Sequence, residues 1–142
     1  MIEIKEKMME RYAYDFDKIF EIEWRTAWVT PFYMAQSGQT GIEKETERIK
    51  GTVDYESWIP SRGNREESEW LEFQNLSIVG DKYTKAFSIK SSKHKELWSG
   101  CSGIGLQRWT VSFLAQKSLD SDKWPKEFKK YLGEFPRQIK FV

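Results

Sequence analysis

The sequence has very little of what cross-links a protein or holds a metal: its 142 residues include one cysteine, Cys101, and one histidine, His94. One cysteine excludes an intrachain disulfide, and because small exported domains usually carry several, we expect a reducing, cytoplasmic location. Zinc and related sites use clustered cysteine and histidine, so we expect no metal and no cofactor. No run approaches the roughly 20 apolar residues of a membrane span, and the first residues lack a signal peptide's apolar core, so we expect neither membrane insertion nor export.

Catalytic motifs are equally scarce. A thiolate–imidazole nucleophile would need Cys101 and His94 in contact and a third group to orient the base, and a lone cysteine is usually a buried structural residue. Neighbouring carboxylates such as Glu21 and Glu23 suit acid–base chemistry in a cleft, but among 22 acidic residues such pairs arise by chance. We therefore expect no catalytic residue, and the chain is more typical of a binding protein than of an enzyme.

The run Gly100-Cys-Ser-Gly103-Ile-Gly105 is rich in glycine but does not match a dinucleotide-binding fingerprint. That fingerprint, G-x-G-x-x-G, follows a strand and opens a helix, whereas here the order is reversed and the residues that follow, 106–115, alternate like a strand. The glycines are instead interpreted as a turn and a bulge that precede this strand.

Two kinds of apolar periodicity are present. Ile4, Met8, Tyr12 and Phe16 recur every four residues, which predicts a helix over about the first 18 residues. Alternation of apolar and polar side chains predicts strands over residues 20–30, 53–59, 70–79, 82–89 and 106–115. One long helix is an alternative for the first of these segments, because its large aromatic residues also keep a four-residue spacing.

The connections between these elements complete the predicted fold. Gly80-Asp81 suits a type II′ turn, which predicts a hairpin of 70–79 with 82–89. The remaining predictions are a loop at 36–41, a short helix at 42–50, another around 124–132 and a last strand at 137–142. The predicted fold class is α+β, a mainly antiparallel sheet of about five or six strands with an N-terminal helix and a short C-terminal helix, in a single globular domain over residues 1–142.

The formal net charge of +1 conceals an asymmetry between the two halves of the chain. Residues 1–72 hold 16 acidic and 10 basic side chains, a net charge of −6, whereas residues 73–142 hold 6 acidic and 13 basic side chains, a net charge of +7. Either the basic half exposes a surface for an anionic partner, or the two halves neutralise each other across the fold.

Tryptophan and arginine are interleaved along this chain, which has seven tryptophans. Indole rings stack on bases and guanidinium groups bind phosphates in a bidentate manner, so this pairing suits a nucleotide or a single nucleic-acid strand. The candidate ligand-binding residues are Trp58, Arg62, Arg65, Arg108 and Trp109, with lysines at 82, 85, 90, 93 and 95 beside them in sequence. The competing interpretation is that these tryptophans form the core and the lysines keep the surface soluble.

The sequence therefore predicts a non-catalytic binding module whose basic, aromatic-bearing C-terminal half engages an anionic partner: a nucleotide, a nucleic acid or an acidic protein surface. The first alternative is an inhibitor or regulator that binds another protein through an exposed tryptophan and arginine patch, because these residues are common interface anchors. The second alternative, a small hydrolase based on glutamate and arginine, has no specific motif behind it.

Overall fold

The computed structural model describes residues 1–29, 51–94 and 96–133, which form one four-stranded antiparallel sheet with helices before and after it. The strands are β1 (Trp24–Val29), β2 (Thr52–Ser57), β3 (Leu71–Gly80) and β4 (Ser99–Ile104). The α-helices are α1 (Ile2–Tyr14), α2 (Lys82–Ala86), α3 (Leu106–Lys117) and α4 (Lys126–Leu132). The α+β class, the antiparallel sheet and the N-terminal helix are confirmed. In the described part of the chain, no helix has both the length and the apolar content needed to cross a bilayer.

The N-terminal helix is longer than α1 alone, because it continues as a π-helical segment, Asp15–Phe20. It stops at Glu21, whose φ of 51° is left-handed, and the Ile22 amide donates to the carbonyl of Phe16 at 3.0 Å. The predicted strand at 20–30 therefore begins only at Trp24, and the long-helix alternative is wrong beyond Phe20.

The four strands pair in chain order, and their register aligns one apolar face. Trp28 lies opposite Val53, Val53 opposite Leu76, and Leu76 opposite Ser102. A bulge between Tyr55 and Glu56 gives β3 one extra residue, Phe73, which is also buried. The bulge thus adds a large ring to the core.

That core is built of aromatic rings around Phe16, which is 1% exposed. Its ring centroid lies 5.1–6.1 Å from those of five other rings, contributed by Tyr12, Trp24, Tyr55, Phe73 and Trp109. Most of these pairs are edge-on or tilted, the arrangements that ring quadrupoles favour. One aromatic cluster therefore joins the N-terminal helix, β1, β2, β3 and α3.

Among the described residues the sheet has four strands, not five or six, and the predicted hairpin at Gly80-Asp81 is one cause of the difference. After Gly80 the chain enters α2, with Lys85 N–H donating to the Asp81 carbonyl at 2.8 Å, and β3 pairs with β4. Alternation made 82–89 resemble a strand, but Phe87 and Ile89 remain 74% and 54% exposed. The segment has no buried face, so nothing stabilises it as a strand.

The predicted strand at 106–115 is the other cause, because these residues form α3. Trp109 and Phe113 alternate, but they are also four residues apart, and as a helix they pack together on the core while Val111 stays 51% exposed. The glycine run lies in strand β4 up to Ile104, and Gly105 directly precedes α3, so it is not a turn and a bulge. At Gly103 a Cβ atom would lie 2.8 Å from Oδ1 of Asn75, so glycine is needed for close approach.

The short helix near the C-terminus is observed as α4, followed by Gly133 in a positive-φ conformation. The predicted loop at 36–41, helix at 42–50 and strand at 137–142 lie outside the described residues.

Candidate functional site

Two of the five predicted ligand-binding residues, Trp58 and Arg65, are in direct contact. The Arg65 guanidinium lies 3.9 Å from the centroid of the Trp58 ring, a cation–π contact. Arg65 also donates two hydrogen bonds to the Glu23 carboxylate, at 2.5 and 2.6 Å, which hold the pKa of Glu23 below its usual value. The pair is therefore already satisfied within the protein.

The other three predicted residues are placed separately. Arg62 is exposed in the 3₁₀ turn Pro60–Arg62, and its side chain has no polar partner among the described residues. Arg108, on α3, donates to both the carbonyl and the carboxylate of Glu72. Trp109 packs into the core and donates from Nε1 to Gln74 at 3.0 Å. Adjacent positions on a helix face different directions, which separates Arg108 from Trp109.

A second arginine–tryptophan pair, Arg25 with Trp70, was not among the candidates, although the Trp24-Arg25 adjacency was a signal for it. Arg25 lies 4.6 Å from the Trp70 ring centroid and is 2.6 Å from Glu56, while Trp70 donates to the Arg65 carbonyl. None of the seven tryptophans is fully buried, and two, Trp28 and Trp98, are exposed. Tryptophan–arginine contacts are therefore a real surface feature, but carboxylates neutralise both of these arginines.

Within the described residues, ion pairing hardly links the acidic and basic halves of the sequence. The described residues form eight ion pairs, and only Arg108–Glu72 joins residues 1–72 with residues 73–142. Among these residues, direct pairing between the halves is thus a minor effect, and most of the described basic side chains of residues 73–133 lie on the surface.

That charge is dense between β3 and β4, in residues 81–98, which we name the lysine-rich excursion. It holds five lysines against two acidic residues, a net charge of +3. The described residues of the excursion line an open cavity of about 670 Å³. Lys90 and Lys93 line this cavity and are exposed, and their side chains have no polar partner among the described residues.

The excursion was missed as a unit because its first half resembles a strand and its second half a polar connection. Lysine density in sequence was its only signal. The helical turn that brings Lys85, Ser88 and Lys90 to one cavity arises only in the folded chain.

Carboxylates collect on the opposite side of the sheet from the core. Asp54 alternates with the buried Val53 and Tyr55, so it faces away from the helices, and Glu56 lies opposite Glu72 on β3. Burial, with added repulsion from Glu72 and Glu56, raises the pKa of Asp54 from 3.8 to about 6.

The raised pKa predicts a pH-dependent contribution of Asp54 to stability. Because the native state favours the protonated carboxyl, this contribution is complete below about pH 3.8 and is lost as the pH rises through about 6. Asp54→Asn should therefore be more stable than the wild type near neutral pH, and its advantage in melting temperature should shrink toward pH 4. Glu69→Gln, an exposed carboxylate, is the control. Parallel pH profiles for Asp54→Asn and the wild type would contradict this prediction.

The described residues contain no group of three or more histidine, cysteine, aspartate or glutamate side chains arranged to hold a metal ion. Cys101 lies exposed on β4 rather than buried. Its exposure was not expected, since a lone cysteine is usually an internal residue.

The chain is similar along its whole length to part of two type-2 serine--tRNA ligases. It is 52% identical over 142 residues to that of Methanococcoides burtonii and 53% identical over 142 residues to that of Methanothrix thermoacetophila. The similarity covers 100% of this chain but 28% and 27% of those proteins, so the chain spans little more than a quarter of their length. No protein-family model matches the sequence.

The fold is also found in a solved structure. A chain in the crystal structure of A. aeolicus tRNASec in complex with M. kandleri SerRS superposes with a TM-score of 0.72 at 24% identity. The superposition covers 96% of this chain and 27% of that chain. At this identity the similarity establishes the fold alone.

Proposed function

We propose that this chain is a non-catalytic RNA-binding module, that its ligand is a tRNA, and that the lysine-rich excursion is the principal contact. The observation that carries the proposal is the pair of exposed, unpaired lysines, Lys90 and Lys93, beside the cavity of residues 81–98. Unpaired ammonium groups bind phosphates without first breaking an internal ion pair, unlike Arg65 or Arg108.

The relatives favour tRNA over other anionic partners. The similar proteins are serine--tRNA ligases, and the chain with the same fold comes from a complex with tRNASec. The chain corresponds to only about a quarter of those enzymes, so ligase activity is no part of the proposal. It concerns binding only.

Among the candidates predicted from sequence, we assign a secondary phosphate contact to Arg62, flanked by Trp58 and Arg65. The Arg62 side chain has no polar partner among the described residues, and this supports the assignment. Arg108 and Trp109 are not assigned to the surface, since Glu72 pairs with the first and the core holds the second. We also propose that residues 1–142 form a single domain, because one aromatic cluster is shared by helices and strands from both halves of the sequence.

The proposal predicts that the chain binds a serine tRNA with strong salt dependence. Neutralised phosphates release counterions, so three contacts, from Lys90, Lys93 and Arg62, should give a plot of log affinity against log salt a slope of about −2.7, or about fortyfold weakening between about 50 and 200 mM salt. Fluorescence anisotropy with end-labelled tRNA measures this slope. Absence of binding at low salt, or binding that salt leaves unchanged, would contradict the proposal.

A further inference from the structure

Phe87 is the most exposed aromatic side chain of the described residues, at 74%. It lies within the lysine-rich excursion and directly precedes Ser88 and Ile89, which line the cavity. A large apolar ring in water gains nothing for the isolated protein, whereas the other phenylalanines of the described residues are packed in or against the core. The exposed ring is therefore available for contact with a ligand.

The backbone that carries Phe87 is held by a network of hydrogen bonds. The Ser88 amide donates to the Lys85 carbonyl at 3.1 Å and the Ile89 amide to the Thr84 carbonyl at 2.8 Å, the two bonds of a Schellman motif. Ser88 supplies the left-handed residue of that motif, with a φ of 52°, where glycine is usual. The ring therefore projects from a defined turn.

A side-chain bond ties this turn to the returning chain. Thr84 Oγ1 donates to the Leu97 carbonyl at 2.6 Å, across the base of the excursion. Because this bond joins the two sides of the excursion, it limits how far Phe87 and the cavity lysines can move apart. Preorganised rings and charges lose less entropy on binding.

We propose that Phe87 stacks on an unpaired base of the RNA while Lys90 and Lys93 hold the adjoining phosphates. The excursion therefore selects a single-stranded or looped part of the tRNA rather than a duplex. This inference rests on the proposed function. Bases in a duplex stack on one another and leave no face for the ring, whereas a splayed base offers one.

The test measures tRNA affinity of the full chain for Phe87→Ala and Phe87→Tyr. Phe87→Ala should weaken binding about tenfold, because one stacked base is lost. Phe87→Tyr should bind like the wild type, because the ring is kept. The salt slope should be unchanged in both variants, since the phosphate contacts remain. Leu119→Ala, at an 83% exposed apolar position between α3 and α4, is the control and should have no effect.

Competition with short RNAs completes the test. An unstructured oligonucleotide should displace the tRNA better than a blunt duplex of equal length, and Phe87→Ala should lose this preference. If the wild type binds tRNA but Phe87→Ala binds equally well, the inference is wrong and the ring is more suited to a protein contact. Equal losses of affinity for the single strand and for the duplex in Phe87→Ala would also overturn the inference. Failure of the wild type to bind tRNA would instead refute the proposed function.

Discussion

Exchanging both Lys90 and Lys93 for glutamate is expected to weaken tRNA binding about 30-fold while leaving the fold intact. Each exchange removes a phosphate contact and adds a repulsion, and together they should cost about 2 kcal/mol of binding free energy. The negative slope of log affinity against log salt should become shallower by about 2. Anisotropy titrations at several salt concentrations measure both quantities. Neither lysine has a side-chain partner among the described residues, so unfolding is not expected.

The matched control is Lys18→Glu with Lys126→Glu, at the end of the N-terminal helix and on α4, which changes the net charge by the same amount at exposed lysines without a polar partner among the described residues. α4 packs through Phe128 against Phe20, at the end of the N-terminal helix. The excursion adjoins the beginning of that helix, where Trp98 and Met1 line one cleft. The two sites are thus at opposite ends of the N-terminal helix, of which the 13 residues of α1 alone span about 20 Å. Equal losses in the two double variants would show that general basicity, rather than the excursion, attracts the RNA.

Truncating Phe16 to alanine should have the largest effect on stability. The residue is 1% exposed and touches rings from four other elements, so alanine leaves a cavity that no single element can close. Such substitutions cost about 3–5 kcal/mol, a large part of the stability of a small domain. Urea unfolding followed by tryptophan fluorescence measures the loss.

A milder substitution keeps this prediction testable if the alanine variant does not fold. Phe16→Leu retains most of the buried volume and should lose clearly less than Phe16→Ala. Leu119→Ala, at an exposed apolar position, should change the free energy of unfolding by less than about 0.5 kcal/mol. A Phe16→Ala variant as stable as Leu119→Ala would mean that the aromatic cluster is not the centre of the core.

Local periodicity predicted those elements whose buried face is determined by their own residues. The stripe from Met8 to Phe16 allowed only a helix, and the alternation around Val53 and Tyr55 allowed only a strand, because in each case one period fits all the large apolar residues. Composition also determined the charge asymmetry and the scarcity of metal ligands. None of these properties depends on contacts between residues that are distant in sequence.

Tertiary contacts decided the rest. Trp109 and Phe113 satisfy both periods, whereas Val111 fits only that of a strand. The helix prevails because Trp109 and Phe113 can then reach the rings of Phe16 and Phe20 while β4 takes the place beside β3. The partners of the arginines could not be predicted from sequence either, since Arg65 pairs with Glu23, which is 42 residues away. Which basic side chains remain unpaired depends on all of these long-range ion pairs. The sequence alone therefore determined that the chain has a basic half, and only the folded chain determined that Lys90, Lys93 and Phe87 are exposed together in one excursion.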